Sequence, residues 1–198
     1  MEKKPVFGVD RLAFAPITTD SAENITYGTV VEWKKALIRA ALTPNNASGS
    51  LEASDQTVDQ YVMKMGGSLE IVTTALVPED DVLLFGDKKD TATGVITTSG
   101  DDIVPEVMCI YSTRRSDGTM NLYKVHKTKF SPPTETGETA TVGNRPYQTI
   151  SLQGNYVNTL FDGRSVSKLR GLDVSTPEGQ QKYDAWFASA TGGLPTVE

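Results

Sequence analysis

The clearest hairpin pattern lies over residues 106–130, EVMCIYSTRRSDGTMNLYKVHKTKF, whose arms alternate apolar and polar residues only in part. Two strand-like runs, 107–113 and 119–130, flank Arg114-Arg115-Ser116-Asp117-Gly118. Asp-Gly favours positive φ at a tight turn, so the stretch predicts one long β-hairpin. Val107, Cys109 and Tyr111 point one way, and Met108, Ile110 and Ser112 the other. In the second arm Met120 and Leu122 share a face, while Tyr123 and Val125 share the opposite one. Both faces carry apolar weight. The expectation is that one packs on a core and the other meets a partner or water.

The rest of the chain is read the same way. Residues 1–8 are expected to be a flexible start, 9–17 a short strand ended by Pro16, and 18–24 a polar turn. Residues 30–42 are ambiguous in period. Val30, Trp33, Leu37, Ala40 and Ala41 stand at helical spacing, yet strand remains open. Residues 43–68 are polar and rich in Asn, Ser and Gly, and are expected to be a long loop, either merely mobile or a self-assembly arm. Leu69, Ile71 and Thr73 then alternate with Glu70, Val72 and Thr74 as a strand. Residues 77–86 predict a helix: Pro78 at its first position, Glu79, Asp80 and Asp81 in its first turn, Gly86 at its end, and Val82, Leu83 and Phe85 as the apolar face. A short strand at 95–98 and a last strand at 147–157 follow, separated by the hairpin and a polar loop at 131–146. A closing helix at about 177–190 starts at the Thr176 N-cap and places Tyr183, Trp186, Phe187 and Ala190 on one face. The fold class is therefore mainly β with minor α: two packed antiparallel sheets as a sandwich or barrel, with a flanking helix. A β domain at 1–157 is followed by a helical extension at 158–198.

A chain of 198 residues buries roughly 70% of its unfolded surface and needs no disulfide or metal to fold. Its formal charge of -6 disfavours tight nucleic-acid binding, which requires clustered Lys and Arg. No signal peptide and no apolar run long enough for a membrane helix are read, so a soluble cytosolic product is expected. Cys109 is the only cysteine and His126 the only histidine. They could be cross-strand neighbours, but no oxyanion turn accompanies them. Asp80, Asp81, Asp101 and Asp102 are better explained by helix-start and turn roles than by a metal. Gly66-Gly67 lacks the GK[ST] of a phosphate loop. No catalytic residue, cofactor or metal is expected.

The combined pattern resembles the major tail protein, or tail tube, family of long-tailed phages. The segments that carry the resemblance are GVDRLAFAPITTD and ITYGTVVEW, VPEDDVLLFG, GVITTSGDDIVPEVMCIYSTRRSDGTMNLYKVHKTKFSPP and PYQTISLQGNYV. They occur in order over most of residues 8–157; the tail beyond Val157 departs from the pattern. The resemblance places strand at 30–42. It implies hexameric rings that stack into a hollow tube in the virion, with tape measure, tail terminator and distal tail proteins as neighbours. DNA would pass through the lumen without sequence-specific binding. On that reading Asn45, Asn46, Ser48, Leu51, Glu52, Asp55 and Tyr61 belong to a loop reaching another subunit or ring. Arg114, Arg115 and Asp117 form a contact at the hairpin tip, and Tyr183, Trp186 and Phe187 sit on an outer helix. The alternatives are a tube subunit of a contractile tail or secretion system, or a β-sandwich adhesin or carbohydrate-binding module. The last would display an aromatic cluster, with Tyr111, Tyr123 and Tyr147 as candidates.

Overall fold

The computed structural model describes residues 4–33, 37–53, 56–137 and 148–194. The chain is mainly β, as its alternation predicts. Strands β1 (Val6–Asp20), β2 (Ile25–Tyr27), β3 (Val31–Trp33), β4 (Leu37–Ala53) and β5 (Gln56–Thr73) precede helix α1 (Pro78–Phe85). Then come β6 (Lys88–Lys89), β7 (Ile96–Thr97), β8 (Val107–Arg115), β9 (Met120–Ser131), β10 (Ile150–Tyr156), β11 (Val166–Leu172) and helix α2 (Pro177–Ala188). The described residues form one large antiparallel sheet ordered β2-β1-β8-β9-β10-β5-β4, with β3 added to β1 and β11 to β9; β6 and β7 pair separately. The sheet curls until β1 and β4 touch, but these two strands do not pair and no barrel closes.

The predicted hairpin lies at the centre of this sheet. Arg115 N–H donates to the Thr119 carbonyl and Gly118 N–H to the Arg115 carbonyl, with Gly118 at φ 83°. This is a three-residue loop whose last position needs glycine's left-handed freedom. Neither arm is an exposed edge. β8 is paired along its outer side by β1, and β9 by β11 and then β10. The change of partner coincides with a bulge: Cys109 faces Val125, but Val107 faces Thr128. The extra residue increases local twist and splits the β10 and β11 ends of the sheet.

Both hairpin faces are covered by the chain itself, which corrects the expectation of one open face. On one side Val107, Cys109, Tyr111 and Val125 pack with Leu12, Phe14, Trp33, Leu69, Ile71, Phe130, Leu152 and α1. Phe14 meets Trp33 and Phe130 edge-on at 5.5 and 5.7 Å. Helix α1 buries Asp80, Leu84 and Phe85, whereas Val82, expected on the apolar face, is 41% exposed. The reason is polar: Asp80 Oδ1 accepts from Trp33 Nε1 at 2.7 Å and Oδ2 from Val77 N–H at 2.8 Å, which fixes the rotation of the helix. Gly86 ends it at φ 80° as expected.

On the other side Ala13, Ala15, Met108, Ile110, Met120 and Leu122 receive Tyr183, Trp186, Phe187 and Ala190 of α2. The Thr176 hydroxyl caps α2 by accepting from Gly179 N–H. Its end is held by an unexpected group. Lys124 is fully buried in β9, and its Nζ donates to the carbonyls of Ser189, Ala190 and Gly192 at 2.9, 2.8 and 2.6 Å, 4.9 Å from the Trp186 ring centre. Three acceptors match the three protons of an ammonium at the negative end of a helix.

Burial nevertheless lowers Lys124 to about 7 and His126 to about 4. A folded-state value below the unfolded one means that the unfolded chain binds more protons between the two. Stability therefore rises with pH through the neutral range. Burial raises the Cys109 thiol, which offsets the rise once the unfolded thiol ionises, near pH 9. Urea unfolding is expected to show stability increasing from pH 7 to 8.5 by at most ~1.4 kcal/mol per pH unit, and Lys124→Met is expected to flatten that slope. A slope unchanged in Lys124→Met would remove Lys124 as its source.

Three further sequence expectations are corrected. β1 starts at Val6 and runs through Pro16, because Pro16 lies opposite Val107, the first residue of β8, and its carbonyl still accepts from Gly28 N–H. Residues 43–53 and 56–68 are not irregular: they are the outer parts of β4 and β5. The strand reading of residues 30–42 holds over 31–33 and 37–42. Finally, β10 is not the last strand, since β11 follows it and pairs with β9.

Candidate functional site

Beyond Pro44 and Gly67 the β4/β5 hairpin leaves the sheet. β10 accompanies β5 only from Gly67 to Thr73. At the point of departure Pro44 faces Gly67 but Asn46 faces Lys64, so one residue of β4 opposes two of β5. Gly66, at φ 94°, occupies this bulge, and a Cβ there would strike the Tyr156 carbonyl oxygen. Glycine is thus required by both conformation and space.

From there outwards the ribbon is two strands alone, paired from Asn46↔Lys64 to Ala53↔Gln56. A two-stranded hairpin is marginal in water, and its unpaired edge is a template for another chain. Its apolar side chains are uncovered: Leu51, Val58, Tyr61, Val62, Met63 and Met65 are each more than half exposed. Cross-strand register puts Ala47 with Met63, Gly49 with Tyr61 and Leu51 with Asp59 on one face, the Tyr61 ring covering Gly49. Ser48 with Val62, Ser50 with Gln60 and Asn46 with Lys64 line the other. Neither face has a core to pack on. Monomeric proteins seldom expose contiguous apolar surface on this scale without a partner for it.

The residues predicted for the inter-subunit loop therefore gather on this ribbon. Asn45, Asn46, Ser48, Leu51, Glu52 and Tyr61 are all exposed there, and Asp55 lies outside the described residues. The hairpin tip is engaged within its own chain. Arg114 pairs with Asp10 at 3.0 Å, Arg115 reaches the Lys4 carbonyl, and the Asp117 carboxylate accepts from Thr119 N–H and Oγ1. Those two bonds hold Asp117 below the usual carboxylate range. Tyr183, Trp186 and Phe187 are buried on the sheet. The Tyr183 hydroxyl donates to Asp10, and Arg11 stacks 4.5 Å from the Phe187 ring centre.

Sequence reasoning missed Val58, Val62, Met63 and Met65 as surface groups; residues 58–65 (VDQYVMKM) do not alternate, with Tyr61, Val62 and Met63 in succession, so periodicity gave no signal. Other proposed constellations do not assemble. Cys109 and His126 are separated by register, and His126 Nε2 bonds Ser167 Oγ at 2.7 Å. Tyr111 is buried and stacked on Tyr123 at 4.6 Å, which removes both from any exposed platform; Tyr147 lies outside the described residues.

No protein-family model matches the chain, and no curated protein matches it.

Proposed function

We propose that the chain is a structural subunit that assembles with copies of itself, as a tail tube protein of a long-tailed phage. The observation that carries this reading is the projecting ribbon, with apolar side chains exposed on both faces and an unpaired β5 edge. Copies that cover each other's ribbons and edges would close a ring, and stacked rings would make a tube. The resemblance of the sequence supplies the particular assembly, hexameric rings in the virion tail bounded by tape measure, terminator and distal tail proteins. The charge of -6 suits a conduit along which DNA slides if acidic groups face the lumen.

Negative-stain microscopy of the purified full chain is the direct test. Tubes or six-fold rings are expected as concentration rises. Dispersed monomers at every concentration would end the reading.

A further inference from the structure

The ribbon has opposite charge at its two ends. From Pro44 to Met63 its only charged residues are Glu52, Asp55 and Asp59. The described pair, Glu52 and Asp59, is exposed near the tip, where Asp59 faces Leu51 and Glu52 faces Thr57. At the root the sign reverses. A cleft of about 490 Å³ is lined by Asn46 and Lys64 of the ribbon on one side and by Ser165, Val166 and Lys168 on the other. Arg170 follows Lys168 at the next outward-alternating position of β11. No carboxylate lines the cleft. Among the described residues none of the three cations has an ion-pair partner, although Arg11, Lys88, Lys89, Arg114, Lys127 and Lys129 all do. Burial lowers the Lys168 ammonium, and the charges of Arg170 and Lys64 lower it further. Three like charges held together without a counter-charge are unfavourable unless an anion comes to them.

Self-neutralisation along the ribbon is ruled out by length. Asp59 and Lys64 stand on the same strand, separated by ~17 Å at ~3.4 Å per residue. We propose that the acidic ribbon tip of one copy, through Glu52 and Asp59, docks on the Lys64–Lys168–Arg170 cleft at the ribbon root of the next copy. The contact is head-to-tail, so it repeats around a ring or along a stack instead of ending at a dimer. Val166, Pro44 and Tyr156 in the cleft wall give Leu51 and Val58 of the incoming tip an apolar seat beside the charges. This inference rests on the self-assembly reading and specifies its contact.

Charge reversal tests it. Lys64, Lys168, Glu52 and Asp59 are all exposed, so K64E/K168E and E52K/D59K are expected to fold with unchanged thermal unfolding midpoints. Each double variant alone is expected to need a roughly tenfold or higher protein concentration to pellet as assembled material, and its deficit against the wild type should shrink in high salt, which screens the variant's repulsion and the wild type's attraction alike. Combining all four changes in one chain restores opposite signs and is expected to recover assembly. If the wild type assembles and either double variant assembles equally well, the tip-to-root contact is wrong while self-assembly stands. Loss in both without recovery in the combination also overturns the pairing. A wild type that stays monomeric overturns both proposals.

Discussion

Replacing residues 45–66 by Asn-Gly is expected to give a folded monomer that no longer assembles. The graft joins Pro44 to Gly67, which already face each other across the two strands, and Asn-Gly is the favoured two-residue connection for such a pair. What is removed contributes little to the folded subunit. Its apolar side chains are mostly exposed, and the core residues of β5, Leu69 and Ile71, lie inside the graft with their pairing to β10 intact. The thermal midpoint should move by only a few degrees, as for a surface change of about 1 kcal/mol. The assembly should vanish altogether, because the ribbon offers both the exposed apolar faces and the free edge. Thermal unfolding and sedimentation on one preparation measure the two effects. Normal rings or tubes from the shortened chain would refute the role given to the ribbon. Loss of folding would show instead that the ribbon belongs to the subunit's own stability.

The same ribbon shows why part of the fold was hidden in the sequence. Strands are recognised by alternation when one face is buried. Leu69, Ile71 and Thr73 are buried and Glu70, Val72 and Thr74 are not, so 69–74 was legible. In 45–52 neither face is buried; apart from Leu51 and Glu52 the residues are Asn, Ala, Ser and Gly, and β-propensity mostly reflects side-chain packing that is absent here. Pro44 added a false stop, as did Pro16 in β1. β11 escaped for another reason: Val166, Leu169 and Leu172 stand three apart, since Val166 and Leu169 face opposite cores and the register with β9 shifts between Leu169 and Leu172. The three-residue loop 116–118 likewise set Cys109 opposite Val125, where a two-residue turn would have set it opposite His126. Lys124 is the sharpest case. A lysine among strand residues reads as a solvated position, and only the arrival of the α2 terminus from 65 or more residues away makes it a buried donor. The residues expected in an inter-subunit loop do fall on the exposed ribbon where described, while its strand conformation and most of its apolar surface were not legible.

Trp186→Ala is expected to produce the largest loss of subunit stability among single changes in α2. Trp186 is 4% exposed and lies between the sheet and the segment that closes the helix; a Cβ at Gly193 would already press on its ring. Truncating a buried tryptophan removes its transfer free energy and leaves a cavity, together worth about 3–5 kcal/mol. The change also takes away the ring beside Lys124 Nζ, so a buried cation loses a favourable neighbour. The loss should appear in urea unfolding as a lower midpoint with little change in slope, because α2 shares its core with β1, β8 and β9 and cannot melt alone without uncovering Met108, Ile110 and Leu122. A pre-transition confined to α2, with the main midpoint unmoved, would mean that the helix is a detachable cover. An unchanged curve would mean that the contacts of Trp186 contribute nothing to the fold. The comparison with Lys124→Met separates packing from charge. Methionine keeps most of the lysine's volume but leaves three carbonyls at the end of α2 without their donor, so its cost should be smaller than that of Trp186→Ala at neutral pH. The reverse order would place the attachment of α2 in the three hydrogen bonds instead of the aromatic face.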